Sequence, residues 1–241
     1  MRSILILAPL ALLAACGGGE TGGGNGTAAA PVAGATPPAG QQWTQMVSET
    51  AEGGYRMGNP DAPVKLVEYG SRTCPACGAF AREGFEPLTK LVETGKVSFE
   101  FRDFLIHGAP DVASAVLGRC GGPGTFFPLL EQMYANQNAT LDKLQATPAD
   151  VQARIQNMAP PQQVAAWGEQ AGYLDFVKQR GIPEDKARQC LADMELVQKL
   201  VGVTENATEV TGTPTFIING EKVENAVTWP QLETALKKAG A

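Results

Sequence analysis

The chain has 241 residues and a formal net charge of −6, with a sequence pI of about 4.9. That acidic balance argues against a nucleic-acid partner, which needs a basic face to meet phosphates. The length remaining after a leader and linker is ample for one domain with a full core.

The chain opens MRSILILAPLALLAAC, with Arg2 ahead of an apolar run from Ile4 to Leu13. A bilayer span needs about 20 apolar residues, so this run is too short for one. Its layout is that of a secretory signal peptide. The LAAC ending resembles the lipobox of bacterial lipoproteins, which implies a signal peptide over residues 1–15 and lipid modification of Cys16. From Gly17 to about Gln42 the chain is mostly Gly, Ala, Pro and Thr. Such a composition cannot bury enough surface to offset its ordering entropy. Residues 16–50 are therefore expected to be a lipidated N-terminus and flexible linker, and 51–241 the folded domain.

The turn signals GNPDAP introduce APVKLVEYGS, which reads as a buried strand. A helix follows in CPACGAFAREGFEPLTKLVETG, with Pro75 suited to its first turn and Phe80, Phe85, Leu88 and Val92 at helical spacing. Gly84 and Pro87 predict a kink in it, and Gly95 ends it. VSFEFRDF, from Val97 to Phe104, alternates and predicts a half-buried strand. From about residue 111 to 206 there are helical spacings and no convincing strand, in five segments punctuated by Pro or Gly. Strand character returns in TPTFIING, pairing across Asn219–Gly220 with EKVENA. A last helix, TWPQLETALKKAG, has Thr228 as its N-cap. This order predicts an α/β fold, a mixed central sheet flanked by helices with an all-helical insertion.

Cys74 and Cys77 form a Cys-x-x-Cys pair at the strand-to-helix turn. Backbone N–H groups at a helix start favour a thiolate, and pKa values there commonly fall to about 3.5–7.5. Cys74 therefore reads as an exposed nucleophile and Cys77 as a more enclosed resolving partner. Glu68 lies in an otherwise apolar strand six residues before Cys74. Buried beneath the pair, its carboxyl would have a raised pKa and could carry the proton of Cys77. Thr213–Pro214 stands just before a strand, an awkward place for Pro. A cis peptide there would set this turn beside another loop and leave Thr213 backbone groups free for a bound chain.

With Cys16 set aside, Cys74, Cys77, Cys120 and Cys190 allow three pairings; spacing favours 74–77 with 120–190 but does not decide it. A zinc site needs about four ligands, and only His107 and Cys120 could join the pair. No metal and no cofactor is expected. His107 reads as a solvent-facing or capping residue. Trp167, Tyr173 and Phe176 read as core, and Phe126, Phe127, Leu130 and Met133 as core first, with a substrate-facing surface the other reading.

Together GNPDAPVKLVEYGSRTCPACGAF, FRDFLIHGAP with ASAVLGRC, and VTGTPTFIINGEKVENAVTWPQLETAL resemble the DsbA-like family of thioredoxin-fold thiol:disulfide oxidoreductases, in a bacterial lipoprotein form. The resemblance covers Tyr55 to Lys238. It implies a thioredoxin fold with an inserted helical subdomain, acting on cysteines of exported proteins. It makes Cys74 the nucleophile, Cys77 the resolving cysteine, Pro214 the cis-proline, Thr213 its peptide-contacting neighbour and Glu68 the buried acid. Cys120 and Cys190 then look like the additional disulfide found in the insertion of some members. The expected protein is a monomer, lipid-anchored on the periplasmic side of the cell envelope. A membrane oxidoreductase would regenerate its active-site redox state.

The departure lies at Pro75 and Ala76. The best-known periplasmic oxidases of the family carry Pro-His there, and that His helps stabilise the thiolate. Ala76 implies a less oxidising couple, and Thr213, where those oxidases often have Val, is a second departure. The main expectation is an oxidase; a reductase or isomerase, or a non-catalytic peptide-binding module of the same fold, are the other readings.

Overall fold

The computed structural model describes residues 29–241. The expected signal peptide, Cys16 and the first part of the linker lie outside the described residues. Six strands form one sheet in the order β1-β2-β4-β3-β5-β6. They are β1 (Val47–Glu49), β2 (Tyr55–Met57), β3 (Val64–Gly70), β4 (Val97–Asp103), β5 (Thr215–Ile218) and β6 (Glu221–Lys222). The β3–β4 pair is parallel, joined through α1 (Pro75–Glu93), and its register runs from Val64↔Val97 to Gly70↔Asp103. Every other pair is antiparallel.

Alternation along the strands sends Val64, Leu66 and Glu68 to one face, in register with Phe99, Phe101, Phe216 and Ile218. Onto that face pack Phe80, Phe85, Leu88 and Val92 of α1, Phe126, Phe127 and Leu130 of α3 (Pro123–Ala135), and Leu232 and Leu236 of α10 (Trp229–Lys238). Glu68 thus points into the main core between Phe101 and Phe216. Gly84 lets α1 cross α10 closely, since a Cβ there would come within about 3.1 Å of Phe80 and Trp229 and oblige their rings to shift. The helix runs unbroken through Gly84 and Pro87.

Eight helices fill the insertion: α2 (Ala109–Arg119), α3, α4 (Gln137–Gln145), α5 (Ala149–Gln156), α6 (Pro160–Gln170), α7 (Tyr173–Lys178), α8 (Glu184–Leu191) and α9 (Met194–Asn206). A second core joins Val112, Val116 and Leu117 of α2 to Met133, Tyr173, Phe176, Leu191 and Leu200. Cys120 and Cys190 are disulfide-bonded with Cα atoms 5.9 Å apart, 70 residues apart in sequence. In the chain-entropy model such a bridge stabilises by about 4 kcal/mol.

The structure departs from the sequence-based expectations in six places. Part of the expected linker is packed: Trp43 is 6% exposed, its indole N–H donates to Ala35 O at 2.7 Å, and Val47–Glu49 pairs with β2. The strand β4 is buried on both faces instead of one, because it lies between β2 and β3 and α9 packs against it. Gly172 takes a left-handed φ of 75° and separates α6 from α7. Asp193, whose side chain accepts from Leu196 N at 3.0 Å, caps α9 and separates it from α8. The helix α4 was not expected at all, and Trp167 is only partly buried.

Candidate active site

The loop Ser71–Thr73 leaves β3, and Cys74 is the N-cap of α1 with Pro75 in its first turn. Pro75 and Ala76 are exposed, whereas Cys77 is fully buried. The Thr213–Pro214 peptide is cis and lies just before β5, which pairs with β3 from Tyr69↔Thr215 onward. That pairing brings together two loops 139 residues apart, and Cys74 Sγ donates to Thr213 O at 3.4 Å. Cys74 is itself only 6% exposed, not the open nucleophile expected from sequence. The Thr213 turn lies against it.

Cys74 and Cys77 are free thiols with opposite environments. The Cys77 thiol, as a donor to the ionised Cys74 sulfur, is the largest reason the Cys74 pKa falls from 9.0 to about 5. Burial opposes this, while the Thr213 side chain and the N–H groups of Cys77 and Ala76 add to it. The Thr213 hydroxyl is buried with no other partner and becomes a donor once Cys74 ionises. Burial, and next the bond to Cys74, push the Cys77 thiol well above its usual value. Beneath them Glu68 is 3% exposed, with Oε1 unpartnered. Desolvation, then the nearby Cys74 charge, raise its pKa from 4.5 to about 8. At neutral pH the arrangement holds a thiolate at Cys74, a thiol at Cys77 and a protonated carboxyl at Glu68.

Thr213→Val removes one donor from that thiolate. A hydrogen bond to a charged group is worth about 1.5 kcal/mol or more. The variant should therefore titrate above the wild-type value of about 5 when thiolate absorbance is followed against pH.

Several polar residues that frame the loop were not singled out from sequence. Asp111, in the first turn of α2 and buried, accepts from the hydroxyls of Ser71 and Thr73 and from the N–H groups of Ile106 and His107. Since the single Thr73 hydroxyl proton goes to Asp111, His107 Nδ1 must donate to Thr73 Oγ1, 2.6 Å away. The His107 side chain is 51% exposed, the solvent-facing residue expected. Arg72, buried between the rings of Phe101 and Phe126, pairs with Asp103, which also receives Arg119. Desolvation lowers both guanidiniums to about 10, still charged at neutral pH. Tyr134 Oη donates to Ser71 O, and Gln137 donates to Arg72 O and Cys74 O. The local signal for Arg72 and Thr73 was three polar residues between a buried strand and the cysteine pair; Asp111 and Gln137 had none. Among the described residues no group of three or more His, Cys, Asp or Glu side chains is disposed to hold a metal.

A core built on β3-α1-β4 and β5-β6-α10, with a cysteine pair at the start of α1 facing a cis-proline, defines a thioredoxin-fold protein carrying a helical insertion. The thioredoxin family model matches residues 50–238, and the chain belongs to that family. It is 27% identical over 177 residues to a Rickettsia bellii protein named as a protein-disulfide oxidoreductase, covering 70% of this chain and 58% of that one. The chain therefore spans a little under 60% of the length of that relative. It is 23% identical to disulfide bond formation protein D of Bacillus subtilis, over 76% of this chain and 75% of that one. A crystal structure named protein-disulfide isomerase, from Novosphingobium aromaticivorans, superposes with a TM-score of 0.71 at 29% identity, covering 75% of this chain and 94% of that one. Wolbachia pipientis alpha-DsbA1 shares the fold, with a TM-score of 0.62 at 19% identity over 80% and 93% of the two chains.

Proposed function

We propose that this chain is a thiol:disulfide oxidoreductase that exchanges disulfides with cysteines of exported proteins through Cys74 and Cys77, working as an oxidase. The observation that carries this reading is the unequal pair: donors converge on the Cys74 sulfur, while Cys77 is buried and kept as a thiol. A stabilised Cys74 thiolate favours the reduced couple, so the disulfide form takes electrons from its substrate.

In that direction a substrate thiolate attacks Sγ of Cys74 in the Cys74–Cys77 disulfide. A substrate–Cys74 bond forms, the bond to Cys77 breaks, and its electron pair goes to the Cys77 sulfur. Glu68, protonated below a pKa of about 8, supplies the proton that this buried sulfur needs. A second substrate thiolate then attacks the substrate sulfur of the mixed disulfide, and Cys74 leaves as a thiolate. Two electrons have passed from the substrate to the couple, and an external acceptor must remove them. A membrane oxidoreductase is the partner this reading calls for, and lipidation at Cys16 would hold the domain near it in the cell envelope. The Thr213–Pro214 turn offers the Thr213 backbone to an extended substrate chain, because Cys74 in the disulfide has no proton to give to the Thr213 carbonyl.

The reductase or isomerase reading draws on Ala76, whose side chain adds no donor to the thiolate beyond its backbone N–H, and on the name of the Novosphingobium protein. Thiol trapping in cells that express the full chain decides between them. The oxidase reading expects Cys74 and Cys77 mostly oxidised; a mostly reduced couple would sink it in favour of the other direction.

A further inference from the structure

Three backbone carbonyls of the loop that carries Cys74 are received by two side chains of the helical insertion. Tyr134 Oη, near the end of α3, donates to Ser71 O at 3.2 Å. Gln137 Nε2, at the first residue of α4, donates to Arg72 O at 3.0 Å and to Cys74 O at 2.8 Å. A side-chain amide has two N–H protons, and this one commits both to the active-site loop. Gln137 is 2% exposed. The two residues that α4 buries, Gln137 and Thr140, are both polar, so apolar burial does not explain why Gln137 lies there. On the other side of the contact is Gly78, directly after Cys77. A Cβ at residue 78 would run into Gln137 Oε1.

We propose that Gln137 is a positioning residue for thiol–disulfide exchange, through which the helical insertion fixes the Arg72 and Cys74 carbonyls and so sets the redox poise of the couple. The inference rests on the exchange reading above. Its physical content is local. Cys74 O carries partial negative charge on the same residue as the sulfur that ionises, and the Gln137 amide offsets it. Clamping residues 72 and 74 together also holds Cys74 at the N-cap, where its sulfur meets the N–H groups of Ala76 and Cys77. Without the amide, Cys74 O keeps the Gly78 N–H, at 3.1 Å, and the loop can turn.

The test compares the full chain with Gln137→Met, which matches the side chain in length and lacks both donors. Each protein is equilibrated with glutathione buffers, and its Cys74 thiolate is titrated by absorbance. Gln137→Met should shift the equilibrium about tenfold toward the oxidised protein, which is about 30 mV for a two-electron couple, and raise the thiolate titration. A purely structural role would lower the melting temperature and leave both readouts in place; that result overturns the proposal. Gly78→Ala, which displaces the amide without removing it, should shift the equilibrium the same way and serves if Gln137→Met does not fold. In a Gln137→Ala background the same Gly78→Ala change should add nothing; equal shifts in both backgrounds would also overturn it. If the wild-type chain does not equilibrate with glutathione at all, the exchange reading itself fails.

Discussion

Cys74→Ser should lower the rate of disulfide transfer to a reduced model protein by more than about 10³-fold, the order of loss that follows removal of a nucleophile from a catalytic unit. The Cys74 sulfur is the one held near a pKa of about 5, and a serine hydroxyl in its place neither ionises at neutral pH nor forms a disulfide. Cys77→Ser should behave differently. It leaves the Cys74 thiolate in place but removes the partner that completes the couple and the thiol that stabilises it. The variant should stop turning over and, given a scrambled substrate whose disulfide the Cys74 thiolate can attack with release of the other substrate sulfur as a thiolate, accumulate a mixed disulfide between Cys74 and substrate on non-reducing gels. The two variants together separate an enzyme from a peptide-binding module. A module that uses only the Thr213–Pro214 turn would bind the same unfolded substrates with either cysteine changed. Full transfer activity in Cys74→Ser would end the enzymatic reading.

What was legible in the sequence was chemistry carried by neighbours along the chain. Cys74 and Cys77 sit within one turn of a helix that starts at Pro75. Glu68 announced itself as an acid among Val64, Leu66 and Tyr69, and Pro214 as a proline ahead of a strand. The frame around them was illegible because its contacts are long-range. Asp111 reaches Thr73 across 38 residues, and Gln137 reaches Cys74 across 63. A lone Asp in a first helical turn, or a lone Gln at a helix start, looks like ordinary capping from sequence. The hairpin of β1 and β2 was hidden for a related reason. Its strands are three residues each and follow a Gly- and Pro-rich stretch, where the packing side chains Val32, Trp43, Met46 and Val47 are few and show no regular period. The enclosed state of Cys74 also depends on the distant Thr213 turn, so local spacing could place the cysteine but not its cover.

Glu68→Gln should make the domain more stable and a poorer catalyst. In the folded chain the Glu68 carboxyl has a pKa of about 8, against an ordinary value of 4.5. Below pH 4.5 both states hold the proton and the site is neutral to stability. Between 4.5 and 8 the unfolded chain gives up the proton and the folded chain keeps it, so stability falls as pH rises. At pH 7 the penalty is roughly 3 kcal/mol, from about 1.4 kcal/mol per pKa unit. Glutamine removes the ionisation, and the melting temperature at pH 7 should rise by about 6–12 °C, at roughly 2–4 °C per kcal/mol for a domain of this size. At pH 4 the two proteins should melt together. Exchange should slow by roughly a hundredfold, the lower end of what a positioned proton donor contributes, because the departing Cys77 sulfur loses its proton source. An unpartnered carboxyl facing Phe101 and Phe216 makes physical sense only if the proton it holds is used, and stability is commonly lower where a site is built for chemistry. Glu68→Gln that melts at the wild-type temperature at pH 7, or transfers disulfides at the wild-type rate, would remove this role from Glu68.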